Sequence, residues 1–209
     1  MADRPEPRLV LATRNAGKLR ELRDLLRGQV PGLDVDTQVV DAAAAGAPDV
    51  VESGVTFEEN ALLKAEQTAA ATGLIAVADD SGLAVDVLGG APGIFSARWA
   101  GRHGDDAANL DLLLKQLADI PEDRRGAAFV CAAALARPRV AGGHTERGEL
   151  RGSLLVAPRG EGGFGYDPIL VPTGLDRSCA ELTRDEKNAI SHRGIAFRAV
   201  LPHLVVALS

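Results

Sequence analysis

The run from Ala127 to Ala136, Ala-Ala-Phe-Val-Cys-Ala-Ala-Ala-Leu-Ala, contains no charge, no Gly and no Pro. An uninterrupted apolar run of that length predicts a central, buried strand. It is too short for a membrane-spanning helix, which needs about 20 apolar residues. A second apolar run, Leu74 to Ala78, ends in Asp79-Asp80-Ser81-Gly82. That pattern reads as a buried strand closed by a turn, with Leu83 to Leu88 as another short strand.

Helical patterns alternate with these runs. Arg8 to Thr13 reads as a first strand, followed by a helix capped by Asn15 with Leu19, Leu22, Leu25 and Leu26 on one face. Residues 33 to 40 read as a second strand. Thr56-x-x-Glu59 has the spacing of a capping box and opens a helix to about Thr72. Further helices are expected from Asp106 to Leu117 and from Ile195 to Val206, and a further strand within residues 144 to 157. Gly160 to Pro168 is a Gly-rich loop. The mixture predicts an α/β fold with a mixed sheet. No repeat or linker interrupts the 209 residues, so residues 1–209 are read as a single domain.

Composition narrows the functional classes. Aromatic residues make up only 3% of the chain and hydrophobic residues 46%, so the core must be built from Ala, Val and Leu. A net charge of −6 argues against a broad nucleic-acid footprint and leaves room for a small polyanion held by a few cations and a metal. The two cysteines, Cys131 and Cys179, match no metal-ligand spacing, and Cys131 is expected as a buried thiol. Met1 to Pro7 lacks the apolar region of a signal peptide. Together these features place the chain in the cytoplasm.

Several segments could carry chemistry. Thr13-Arg14-Asn15-Ala16-Gly17-Lys18 lies at a strand-to-helix junction, where free N–H groups and the dipole suit phosphate. The same residues would equally serve a capped amphipathic helix with Lys18 paired to Glu21. Glu52 precedes the helix that carries Asn60 and Lys64 one turn apart, either near a metal or as solvated charge. Asp79-Asp80 supplies the hard oxygen donors that select Mg²⁺ over zinc. Gly89 to Gly101 is a long Gly-rich stretch holding the only Trp, a site element or a surface loop. Phe164 and Tyr166, set among glycines beside Asp167, could stack on a planar base or anchor a tight turn. Lys187, Ser191, His192 and Arg193 crowd together before the last helix as a polar recognition cluster.

In this order the motifs closely resemble one family, the non-canonical purine nucleoside triphosphate pyrophosphatases. The resemblance runs from Leu9 to Arg198 and rests on Thr13-x-Asn15-x-x-Lys18-x-x-Glu21, Thr56-Phe57-x-Glu59-Asn60-Ala61, Asp79-Asp80-Ser81-Gly82-Leu83, Ser96-Ala97-Arg98, Phe164-Gly165-Tyr166-Asp167-Pro168 and Lys187-Asn188-x-x-Ser191-His192-Arg193. It implies a long twisted mixed sheet with flanking helices and two lobes around a nucleotide cleft. It also implies Mg²⁺-dependent hydrolysis of ITP, dITP and XTP to the monophosphate and pyrophosphate by a homodimer. Carried over by position, Asp80 is the general base and a metal ligand, and Glu52 the second ligand. Thr13, Arg14, Asn15, Ala16, Gly17 and Lys18 hold the phosphates, and Ser81 contacts substrate. Phe164, Gly165, Tyr166, Asp167, Lys187, His192 and Arg193 surround base and sugar.

Overall fold

The computed structural model describes residues 6–209. Part of the N-terminal segment read as lacking a signal peptide, residues 1–5, lies outside the described residues. Along the chain the elements are β1 (Leu9–Leu11), α1 (Ala16–Leu26), α2 (Val35–Gln38), β2 (Val39–Asp41), α3 (Phe57–Thr72), β3 (Ile75–Val85), α4 (Asp106–Gln116), β4 (Gly126–Ala136), β5 (Gly143–Leu154), β6 (Leu170–Pro172), α5 (Arg184–Ile190) and α6 (His192–Leu208). Short 3₁₀ turns occupy Asp86–Leu88, Gly93–Arg98, Glu122–Arg124 and Cys179–Glu181.

The strands form one six-stranded sheet in the order β2-β1-β3-β4-β5-β6. β1 pairs in parallel with β2 and with β3, while β5 and β6 are antiparallel. The α/β fold with a mixed sheet is therefore as expected. β4 is buried from Ala127 to its end, in keeping with a central strand of small apolar residues. Among the described residues no helix is long and apolar enough to cross a membrane.

The chain divides into two compact units. The first holds the chain up to Asp80, Ala132–Arg147 and Ala196–Ser209, and the second holds Ser81–Cys131 and Gly148–Ile195. In the first unit, β1 is wholly buried, as are Leu22 and Leu26 of α1. α3 buries Phe57, Asn60, Ala61, Ala65, Thr68 and Ala69, a mostly small-residue face that lets a helix lie close to its neighbours. In the second unit, Leu83, Val85, Leu113, Leu117, Phe129, Leu154, Ile169 and Leu170 form one core cluster. Cys131 and Cys179 are both buried and form no disulfide, and burial pushes the Cys179 thiol up to about 12.

Two local expectations are corrected. Residues 33 to 40 are not a strand throughout. Asp34 accepts from the Asp36 N–H at 3.0 Å and from the Thr37 hydroxyl at 2.7 Å, and these local bonds start the short helix α2 before β2 begins. Asp79-Asp80-Ser81-Gly82 is not a turn either: β3 runs unbroken through it. Gly82 belongs there because a Cβ would meet Ser96 Oγ at 2.4 Å and the Gly93 carbonyl at 2.5 Å. The Ser96 hydroxyl accepts from the Leu83 N–H at 2.8 Å and donates to the Gly93 carbonyl at 2.6 Å. That buried hydroxyl fastens the strand to the 3₁₀ turn and explains why Ser96 stands in the motif.

Candidate active site

Side chains along a strand point alternately to opposite faces, so the adjacent Asp79 and Asp80 cannot share one set of partners. Asp79 is 3% exposed and takes both oxygens to Lys18, whose Nζ lies 2.9 Å from Oδ1 and 2.7 Å from Oδ2. Asp80 instead meets α3. Asn60 donates to Asp80 Oδ2 at 3.3 Å, and Lys64 Nζ lies 3.3 Å from Asp80 Oδ1. The same ammonium lies 2.7 Å from Glu52 Oε1. Asn60 and Lys64 are one helical turn apart, which puts both on the face of α3 that meets Asp80.

Thr56 positions that helix. Its side chain accepts from the Glu59 N–H at 3.1 Å, as expected for a cap, whereas Glu59 Oε2 reaches back to the Val55 N–H at 2.7 Å. The buried Asn60 amide also accepts from the Gly54 N–H at 2.8 Å. One side chain thus holds both the loop after Glu52 and the carboxylate of Asp80. A Cβ at Gly54 would lie 2.7 Å from Asn60 Oδ1, so glycine is what allows this approach.

Burial raises the Asp80 carboxyl above its ordinary value, and the Glu52 charge adds to that while Lys64 and Asn60 oppose it. For Lys64, burial acts to lower the value, but the charges of Asp80 and Glu52 outweigh it and leave the ammonium more basic than usual. Asp80 is therefore a carboxylate with enhanced basicity. Glu52 and Asp80 both contact a single cation, the Lys64 ammonium. Two carboxylates converging on one positive centre fit a divalent ion with hard oxygen ligands.

Beside this cluster is a depression of about 340 Å³, lined in part by Thr13, Arg14, Asp49, Val50, Lys64 and Thr68. Arg14 pairs with Asp49 at 2.8 Å. Asn15 caps α1, accepting from the Gly17 N–H at 2.8 Å and the Lys18 N–H at 3.3 Å, and its own N–H donates to Thr13 Oγ1 at 3.2 Å. Ala16 is the first residue of α1. The positive end of the helix is present as expected, with the Asn15 side chain occupying two of its N–H groups.

In the second unit, Ser81 follows Asp80 along β3 and is partly buried. The Phe164 ring is 66% exposed, with Lys187 Nζ 5.0 Å from its centroid. Lys187 also pairs with the buried Asp167, which accepts from the Phe164 N–H at 2.8 Å. Gly163 has a φ of +73°, and a Cβ there would lie 2.0 Å from Asp167 Oδ2, so only glycine admits the turn. The Gly165 N–H donates to Asp106 at 2.9 Å. Tyr166 does not offer a free ring for stacking: it is buried and donates to the Ser96 carbonyl at 2.9 Å. Burial pushes its hydroxyl well up from the usual phenol value. His192 and Arg193 open α6, and the His192 ring stacks on Phe129 with centroids 5.2 Å apart.

Of the sequence candidates, the structure thus gathers Glu52 and Asp80 in one cluster and Phe164, Asp167 and Lys187 in another. Lys64 and Asn60 join the first, although taken alone their segment reads from sequence as a cap with solvated charges. Their signal was the i, i+4 spacing on a helix that leads into the Asp79-Asp80 strand.

The chain is similar to known proteins along nearly its whole length. The model of the Ham1 family matches residues 9–203. A dITP/XTP pyrophosphatase of Streptomyces coelicolor is 66% identical over 93% of this chain and 96% of its own length. A dITP/XTP pyrophosphatase of Mycobacterium bovis is 53% identical over 94% and 95% respectively. Among solved structures, a HAM1 protein from Coxiella burnetii superposes with a TM-score of 0.86 at 39% identity, covering 96% of this chain and 99% of that one. With family residues matched along nearly the whole length and this fold shared, the chain belongs to the Ham1 family.

Proposed function

We propose that this chain hydrolyses ITP, dITP and XTP to the monophosphate and pyrophosphate, clearing deaminated purines from the nucleotide pool, with Asp80 as general base. The observation that carries the reading is the pair Glu52 and Asp80, two carboxylates that converge on one cation. The names of relatives at 53% and 66% identity support the substrate class.

Water attacks the α-phosphorus, a new P–O bond forms, and the bond to the β-phosphate oxygen breaks. Asp80 takes the proton of the attacking water. Glu52 and Asp80 would hold Mg²⁺, which would supply positive charge against the triphosphate. Asn60 keeps the Asp80 carboxylate oriented through the 3.3 Å amide contact. Residues Thr13 to Lys18 present the positive end of α1 and the Arg14 guanidinium to phosphate oxygens. Lys18 keeps Asp79 neutralised. No covalent nucleophile is required.

On the base side, the exposed Phe164 ring stacks on the purine, with Lys187 beside it. His192 and Arg193 donate to the 6-keto oxygen of hypoxanthine or xanthine. Adenine would present a 6-amino donor to the same groups and leave them unpaired, a strong basis for rejection. On the same reading the enzyme is a cytoplasmic homodimer acting on free nucleotides.

Pyrophosphate release from ITP, XTP, dITP, GTP and ATP, with Mg²⁺ and with EDTA, tests the proposal. Fast Mg²⁺-dependent release from ITP, dITP and XTP, with ATP nearly inert, is the expected outcome; GTP, which shares the 6-keto group, tests whether the 2-position is read as well. Asp80→Asn should cut kcat by about 10²-fold or more, the lower range for a lost general base, while nucleotide binding persists. Orthophosphate in place of pyrophosphate would mean attack at the terminal phosphorus and a different mechanism.

A further inference from the structure

The chain has four histidines, and two of them meet at residues with no part in the chemistry above. His144 and Glu146 stand two positions apart on β5, which places them on one face of the strand. His203 reaches the same place from α6. His144 Nε2 lies 2.7 Å from Glu146 Oε1, and His203 Nε2 lies 3.9 Å from that oxygen. The two rings stack with centroids 3.5 Å apart. One ligand atom from each of the three side chains falls within 4.8 Å of the others.

The backbone is built to bring them there. A Cβ at Gly143 would lie 2.4 Å from the Leu135 carbonyl and 2.6 Å from Leu62 Cδ1, so β5 starts this close to its neighbours only because residue 143 is glycine. At the other end of the cluster, Arg147 pairs with Glu58 at 2.8 Å and ties the strand to α3.

The chemistry of the set is distinct from that of the acidic pair. A neutral imidazole offers a nitrogen lone pair that can bind a metal. Two imidazole nitrogens and one carboxylate oxygen suit a borderline transition-metal ion, whereas Mg²⁺ takes oxygen ligands. Tetrahedral zinc with ligands at about 2.0–2.1 Å sets donor atoms roughly 3.3 Å apart. The observed separations of 2.7 and 3.9 Å lie on either side of that value. The rings must swing apart for both nitrogens to point at one ion. With side-chain exposures of 39% for His144, 33% for Glu146 and 48% for His203, they have the room.

We propose that His144, Glu146 and His203 form a binding site for a transition-metal dication of the zinc type, which clamps the start of β5 to α6. Water completes the coordination. The site does not depend on the pyrophosphatase reading, and neither does its test.

The test is calorimetric titration of the full-length, metal-stripped chain with Zn²⁺ in excess Mg²⁺, which keeps carboxylate sites filled. One zinc per chain is expected. His203→Ala and Glu146→Gln should each weaken binding by at least about tenfold, since even outer partners of metal ligands cost that much. Circular dichroism of each variant shows that the fold is intact. Zinc-edge X-ray absorption should give a nitrogen and oxygen shell. No zinc uptake by the wild-type chain, equal uptake by both folded variants, or a sulfur shell would each overturn the proposal.

Discussion

Lys64 stands between two carboxylates that would otherwise face each other. Its Nζ lies 2.7 Å from Glu52 and 3.3 Å from Asp80, and its side chain is only 14% exposed. Removing one partner of a buried pair costs about 3–5 kcal/mol when burial is complete; the partial exposure of Glu52 reduces this to about 2 kcal/mol. Lys64→Met is therefore expected to lower the melting temperature in EDTA. Mg²⁺ should restore most of the loss, because a dication can take the place of the ammonium. Thermal unfolding with and without Mg²⁺ checks this, and an unchanged melting temperature in EDTA would show that the pair contributes nothing to the fold. Residue types alone could not distinguish Asp79 from Asp80. Strand alternation does, sending one to Lys18 and the other to Lys64. Tyr166 was illegible for the converse reason: an aromatic among glycines looks the same whether its ring faces solvent, as Phe164 does, or the core.

Among the elements, α5 carries Lys187 and depends on one carboxylate. Thr183 and Glu186 cap each other, with the Thr183 N–H donating to Glu186 at 2.8 Å, and Arg177 binds the same side chain at 2.8 Å. These bonds, Arg177 foremost, lower the Glu186 carboxyl from 4.5 to about 2. A lowered carboxyl contributes stability that is fully present above the unfolded value and fades as pH falls toward the folded one. The start of α5 should therefore stay capped at pH 5 and fray as pH drops from about 4.5 to about 2. A carbon-detected NMR titration of Glu186 should show a midpoint near 2, rising in Arg177→Gln; a midpoint at 4.5 in the wild-type chain would remove the cap from the argument. Spacing signals such caps in sequence: Thr56 caps α3 as its spacing predicts, but Glu59 bonds the Val55 N–H in place of the Thr56 N–H that a capping box requires. Asp34 was not legible as a cap, because the β-branched residues around it carried the strand pattern while its own hydrogen bonds made a helical turn. β3 was divided in two for a similar reason. Asp-Asp-Ser-Gly has turn composition, and only the close approach of Ser96 and Gly93 reveals why Gly82 sits in a strand.

For the whole molecule, the division into two units raises the question of whether residues 1–209 behave as the single domain expected from sequence. Domains that fold separately are usually joined through exposed, flexible linkers. Here the boundaries fall between Asp80 and Ser81 within β3, between Cys131 and Ala132 within β4, between Arg147 and Gly148 within β5, and between Ile195 and Ala196 within α6. Every passage of the chain from one unit to the other is thus backbone already committed to a strand or helix. Melting one unit alone would break each of these elements partway along its length. One cooperative transition is expected on that ground. The chain supplies its own probes: Trp99, the only tryptophan, reports on the second unit, and far-ultraviolet circular dichroism reports on both. Urea unfolding followed by the two signals should give coincident midpoints. If the Trp99 signal moved at a lower urea concentration than the dichroism, the second unit would be unfolding by itself, and the chain would be two domains sharing strands.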